Sequence, residues 1–417
     1  MEPNGWEILP LDQVSQIIDC KHRTPKYVEE GIPLVSPGTI KWGAIDLHSP
    51  TKRVTNEEYM SLMDHCSVDI GDLVLSRNQS VGIASYVNSD APFVLGQDTV
   101  LVKPRTCDSD FLFYNLQSVS TQRAVFKLAG GSTFSRINLG EIRKLKSIYP
   151  PITEQRKIAK ILSIWDKAIT TTEKLIETSK QQKKALMQQL LTGKKRLRSS
   201  TKDGTETGKA FEGEWEEVKL SHLFDRMTEK NKGQSTNVVT ISAQHGLIRQ
   251  QEFFKKSVAS ETLDNYFILR KGQFAYNKSY SNGYPMGAIK RLNRYEDAVV
   301  TSLYICFEIK DEAKTSSCFM EQYFESGLLN RGLTKVAAEG GRAHGLLNVK
   351  PSDFMGLSLI VPTFDEQQKI ASVLTAADKE IEVFNAKLAY LKQEKKALMQ
   401  QLLTGKRRVK IDEVEVA

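Results

Sequence analysis

Apolar residues recur at helical spacing over two long stretches. From Glu154 onward they fall at Ile158, Leu162, Trp165, Ile169, Ile176, Leu186 and Leu190, the a and d positions of a heptad register. The second stretch places them at Ile370, Leu374, Ala377, Ile381, Phe384, Leu388, Leu391, Leu398 and Leu402. Each pattern predicts one helix of about forty residues, roughly 60 Å long at 1.5 Å per residue. Thr153, after Pro150-Pro151, and Asp365, after Pro362, are the expected N-caps. Gly193 and Gly405, each followed by basic residues, are the expected stops. A seam of this length needs a partner, and the one other seam of equal length is its counterpart. Thr172, Ser179, Lys183 and Lys395 interrupt the seams; such polar positions cost stability and help to fix register.

Elsewhere the apolar runs are short and alternate with turn residues, as strands do. Ile32 to Val35, Asp72 to Leu75, Gly82 to Val87 and Thr99 to Val102 are of this kind, while Asn56 to Met63 and Phe111 to Leu128 carry helical patterns. The mixture predicts an α+β globule at residues 1–151. Its first helix then occupies 152–197, and the polar, glycine-containing stretch 198–212 reads as a flexible linker. A second globule is expected at 213–363, a second long helix at 364–408 and a tail at 409–417.

The second half repeats the first. Lys183-Lys184-Ala185-Leu186-Met187-Gln188-Gln189-Leu190-Leu191-Thr192-Gly193-Lys194 returns unchanged as Lys395 to Lys406, an offset of 212 (395 − 183), and Glu154-Gln155 returns as Glu366-Gln367 at the same offset. A unit of domain size is therefore duplicated, not a short solenoid repeat, and a pseudo-two-fold molecule is the natural expectation. Ile70-Gly71-Asp72-Leu73-Val74-Leu75-Ser76-Arg77 has its counterpart in Lys271-Gly272-Gln273-Phe274-Ala275-Tyr276-Asn277-Lys278, and Ala129-Gly130-Gly131-Ser132 in Glu339-Gly340-Gly341-Arg342. Landmarks recur while the residues between them differ. Two similar folds with unlike surfaces would suit a reader of two unlike half-sites.

Charge adds a weak pointer to an anionic partner, since 58 basic residues outnumber 50 acidic ones for a formal charge of +8. The five cysteines, Cys20, Cys66, Cys107, Cys306 and Cys318, are scattered without a C-x-x-C pair. That argues against a disulfide framework or zinc site, with no metal expected, and fits a reducing cytoplasm. No apolar run approaches the roughly twenty residues of a membrane span. Phosphate-cradling, dinucleotide and H-E-x-x-H motifs are absent, as is the Asn-Pro-Pro-Tyr type of adenine methyltransferase motif. Binding is expected, and catalysis is not.

The block Pro150-Pro151-Ile152-Thr153-Glu154-Gln155-Arg156-Lys157-Ile158-Ala159, its echo Pro362 to Ala371 and the two identical helix endings resemble the specificity subunits of type I restriction-modification systems. The likeness extends over nearly the whole chain. It implies two target recognition domains held apart by long helices that pack antiparallel as a coiled-coil spacer, and a chain with no active site of its own. It implies double-stranded DNA with a bipartite, gapped target as ligand. Two methyltransferase subunits using S-adenosylmethionine and two motor-nuclease subunits using ATP and Mg2+ are the implied partners, with no cofactor on this chain. A spacer of roughly 60 Å would limit the gap to about 17 base pairs at 3.4 Å each. A two-domain coiled-coil scaffold that binds protein without sequence-specific DNA binding is the alternative, and an enzyme with an unrecognised site a third.

Base edges are read by Arg, Asn and Gln, and phosphates are held by Lys, Ser, Thr and backbone N–H groups. On that chemistry the candidates in the first globule are Arg77, Asn78, Gln79 and Ser80, with Ser132, Thr133 and Arg136 beside the glycine pair. In the second they are Asn277, Lys278, Ser279 and Tyr280, with Arg342 and His344. For the helix seam the candidates are Ile158, Leu162, Trp165, Ile169, Leu186, Leu190, Ile370, Leu374, Ile381, Leu388, Leu398 and Leu402.

Overall fold

Alternation of side chains through a central strand builds two apolar layers in each half of the chain. In the first half Leu73, Leu75, Val100 and Val102 enter one core, while Val74 and Leu101 between them enter another. In the second, Phe274, Tyr276, Ile305 and Phe307 take one side and Ala275 and Cys306 the other. A strand covered on both faces shows little polar alternation, and these runs are accordingly apolar throughout. We describe residues 3–130, 136–200, 206–253, 262–337 and 347–411 of a computed structural model.

Two compact units emerge, one of residues 1–173 with 386–417 and one of 174–385. The expected division into globule, helix and globule is thus redrawn, because each long helix gives its first part to one unit and its last part to the other. The helices run Ile152–Leu190 and Phe364–Leu402. Thr153 and Asp365 therefore lie inside the first turn and not at the cap; Pro151 and Thr363 precede it, their carbonyls accepting from Gln155 and Gln367 N–H. Gly193 and Gly405 follow the ends at φ of 68° and 67°, a conformation that glycine adopts at no steric cost.

In the first unit a five-stranded sheet has the order Ser15–Asp19, Thr99–Pro104, Leu73–Ser76, Ala84–Tyr86, Gly43–Ala44. The second unit has Phe224–Met227, Ile305–Ile309, Phe274–Asn277, Ala288–Arg291 in the same order, without a fifth strand among the described residues. Each unit also pairs its opening strand with the strand just before its long helix, Glu7–Pro10 with Lys146–Tyr149 and Glu216–Lys219 with Ser358–Val361. The helix expected over Phe111 to Leu128 is two, Ser109–Leu116 and Val119–Leu128. Ser118 ends the first and caps the second through its bond from Thr121 N–H. The stretch 198–212, expected as a flexible linker, contains Arg198–Ser200 paired with Glu206–Ala210, and Leu197 beside it packs against the core of the second unit.

All twelve seam candidates are buried or half-buried. Their ends do more than meet another helix: Ile158, Leu162 and Leu402 belong to the core of the first unit, and Leu190, Ile370 and Leu374 to that of the second. Within the first unit Glu154 pairs with Arg408, Asp166 with Lys395 and Glu173 with Lys392. Numbers rise along one helix as they fall along the other, so the two segments run antiparallel there. Within the second unit Glu366 pairs with Arg196 and Asp378 with Lys183. Lys183 and Lys395, which interrupt the apolar seam, thus each meet a carboxylate at 2.6 Å. Among the described residues no helix is long and apolar enough to cross a membrane.

Candidate nucleic-acid interface

The turn after the central strand Leu73–Ser76 carries most of the candidates of the first unit, and its own bonds shape it. Gly82 N–H donates to the Ser76 carbonyl at 2.9 Å and Ser76 Oγ to the Asn78 carbonyl at 2.6 Å. Gly82 has φ of 77°, and a Cβ there would lie 2.5 Å from a Val125 methyl. Both conformation and space require glycine.

Arg77, expected at the DNA surface, turns inward. It is 6 % exposed, its Nη1 donates to both Asp19 oxygens at 2.8 and 3.0 Å, and its Nε to the Ile137 carbonyl at 3.3 Å. Asp19 also receives His22 Nε2 at 3.0 Å. A guanidinium held in this way positions the turn and points inward, where the sequence had suggested an outward side chain. The physical reason is the aspartate at the end of Ser15–Asp19, one strand beyond Thr99–Pro104 in the sheet, which neutralises a cation that would otherwise need water.

Asp98 makes a second clamp. It accepts from Asn78 Nδ2 at 3.2 Å and pairs with Arg136 at 2.6 Å, joining the turn to the segment that follows the glycine pair. Ser80 Oγ donates to the Pro37 carbonyl at 2.7 Å. Gln79 is exposed at the tip, with φ of 56°. Ser132 and Thr133 lie outside the described residues.

The second unit builds the same turn with different chemistry. Leu347 N–H donates to the Lys278 carbonyl at 3.1 Å, as Ile137 N–H does to that of Arg77 at 3.0 Å. A Cβ on Gly287, φ 78°, would lie 2.2 Å from the Asn277 carbonyl oxygen, so glycine again closes the turn. Asn277 Oδ1 accepts from Ser279 N–H at 3.0 Å. Lys278 and Ser279 are half-buried and Tyr280 is 61 % exposed. Lys278 meets no carboxylate among the described residues. Arg342 and His344 lie outside the described residues.

Asp19, Cys20 and His22 bring three possible metal ligands within 4.8 Å of one another. The arrangement does not suit a cation: both Asp19 oxygens already accept from Arg77, and burial, with Asp19 second, pushes the Cys20 thiol up, away from the thiolate a metal needs.

Each unit is seated on its helix pair by one repeated set of contacts. Glu154, 4 % exposed, takes Arg408 Nε at 3.0 Å and Trp6 Nε1 at 3.0 Å; Glu366, 0 % exposed, takes Arg196 Nε at 2.6 Å and Nη2 at 2.7 Å. Gln155 bridges the Pro150 carbonyl and Asp108 N–H, and Gln367 bridges the Pro362 carbonyl and Ser316 N–H. Tyr114 Oη donates to Asp166 and Gln322 Nε2 to Asp378, each at 2.7 Å. Sequence reasoning missed these residues and the two clamping aspartates. The repeated Glu-Gln pair and the recurrence of Arg196 as Arg408 at the offset of 212 (408 − 196) were the available signals.

Comparison with known proteins finds likenesses to one group of proteins. Residues 3–180 match the model of the type I restriction modification DNA specificity domain. Over 435 residues the chain is 26 % identical to the putative type I restriction enzyme MjaX specificity subunit of Methanocaldococcus jannaschii, covering 98 % of this chain and 95 % of the relative. It is equally identical over 423 residues, 98 % and 94 % of the two chains, to the type I restriction enzyme MjaVIII specificity subunit of the same organism. In fold it is similar to a type I restriction-modification S subunit from M. genitalium, with a TM-score of 0.57, 15 % identity and coverage of 99 % and 100 % of the two chains.

Proposed function

We propose that this chain is a specificity subunit of a type I restriction-modification system and reads a DNA target in two parts, one with each unit, through the turns at 77–82 and 278–287. The long helices, 39 residues each, act as an antiparallel spacer that sets the gap between the parts. A methyltransferase subunit using S-adenosylmethionine and a motor-nuclease subunit using ATP and Mg2+ supply the chemistry, and this chain supplies the address.

One observation carries this reading: the repeated seat, Glu154 with Arg408 and Glu366 with Arg196, beneath two sheets of the same strand order whose exposed turns differ in chemistry. A duplicated mount bearing unlike tips is what two unlike half-sites call for. Phosphate contacts from lysines such as Lys278 hold the duplex, and the amides of the turns read base edges.

The test maps methylated adenines in a host without such systems, expressing this chain with its methyltransferase partner and omitting each in turn. A single gapped, two-part motif that needs both proteins is the expected result, and exchange of residues 1–151 for those of a relative changes one part only. An assembled complex that adds no methylation at a two-part motif overturns the proposal and favours a protein scaffold.

A further inference from the structure

Five candidate side chains of the first unit lie in the described residues, and four of them are already engaged. Arg77 is held by Asp19, Asn78 and Arg136 by Asp98, and Ser80 by the Pro37 carbonyl. Gln79 is the exception. It is exposed, and among the described residues its side-chain amide makes no hydrogen bond.

Its backbone is the second observation. Among the described residues three that are not glycine have positive φ, and two of them, Gln79 at 56° and Asp98 at 63°, sit in this one turn and its clamp. A glutamine in the left-handed region costs free energy that the surrounding bonds must offset. Here they do: Asn78 Oδ1 accepts from Gln79 N–H at 2.8 Å, and the flanking side chains are tied to Asp19, Asp98 and Pro37. The side chain has room, because Gln79 Oε1 lies over the bare Gly38, 3.6 Å from where a Cβ would stand. A fixed tip with one free amide is preorganised for a partner that offers a donor beside an acceptor.

Within the proposed function, on which this step rests, we infer that Gln79 is a base-reading residue of the first unit and that it reads adenine. A carboxamide accepts from the adenine N6 amino group and donates to N7 in the major groove, a pair that no other base matches in full. Arg77, Asn78, Ser80, Asp98 and Arg136 are positioning residues for that contact.

The experiment uses the full chain with its methyltransferase partner on duplexes of the mapped target, varying one base pair at a time. Gln79→Gly removes the amide and suits the left-handed backbone, so the turn survives; Gln79→Ala removes the amide and keeps the strain. Both variants are expected to lose adenine selectivity at one position of the half-site read by residues 1–151, by about tenfold or more, with the other half-site unchanged. Unchanged selectivity at every position overturns the inference, as does a loss with Ala that Gly does not share, which would trace the effect to the backbone. A wild-type complex without a two-part motif defeats the proposed function instead, so the two failures are distinct.

Discussion

The two units share strand order, seat and closing glycine, yet differ in what happens to the first cation after the central strand. In the first, Arg77 is buried against Asp19; in the second, Lys278 stands in the matching place without a carboxylate among the described residues. Counted from the four-residue helices Leu11–Val14 and Leu220–Leu223, the position of Asp19 falls at Thr228. One lost carboxylate thus converts an internal strut into a free cation. Sheet order follows from which side chains must be covered, and it is retained. Turn side chains answer to no core, so they can diverge while the scaffold stays the same.

The seats differ as well. Among the described residues Glu154 has two donors, Arg408 and Trp6, whereas Glu366 accepts from Arg196 alone and Trp215 Nε1 is buried without a partner. Arg196→Ala leaves a fully buried carboxylate with no cation and is expected to cost about 3 kcal/mol. Arg408→Ala leaves Glu154 its indole donor and is expected to cost about 2 kcal/mol. Urea unfolding measures both; equal losses would mean that the Trp6 bond contributes nothing and the seats are equivalent.

Arg77→Ala is expected to lower stability by about 2 kcal/mol by opening the Asp19 pair, whereas Lys278→Ala should stay within about 0.5 kcal/mol. On DNA the order reverses: Lys278→Ala should reduce the slope of log affinity against log salt by about 1 across all sequences. Should Arg77→Ala leave stability untouched and relax one base position instead, the contrast between strut and free cation falls.

The smallest difference is one of alkaline behaviour. Burial pushes the thiols of Cys107 and Cys306, one in each unit, from 9.0 up to about 12. Below pH 9 both are protonated whether the chain is folded or not, and they add no pH dependence. Above it the unfolded chain loses its protons first, so stability falls between pH 9 and about 12, by about 1 kcal/mol per thiol at pH 10. Cys107→Ala and Cys306→Ala should each flatten that fall in a pH series of urea melts.

Much of this was legible in the chain. Helical periodicity gave both long helices to within two residues at their starts, and the 56–63 helix and the central strand of the first unit stood where apolar spacing put them. The inward turn of Arg77 was not legible, because a basic residue after a strand looks the same whether it points out or in. Its fate depends on Asp19, 58 residues earlier, and no local pattern encodes that pairing. The same holds for Asn78, whose clamp Asp98 lies 20 residues away.

What the sequence determined by itself was the duplication: two helices, two globules and the identical ending, all fixed by local periodicity and by repetition that needs no folding to be seen. What only the tertiary structure decided was which polar groups are spent and which are free. Each long helix is shared between the two units, Glu154 is matched to Arg408 across 254 residues, and of five candidate readers Gln79 keeps its amide unpaired among the described residues. Burial and ion pairing are properties of neighbours in space, and the chain brings those neighbours together only by folding.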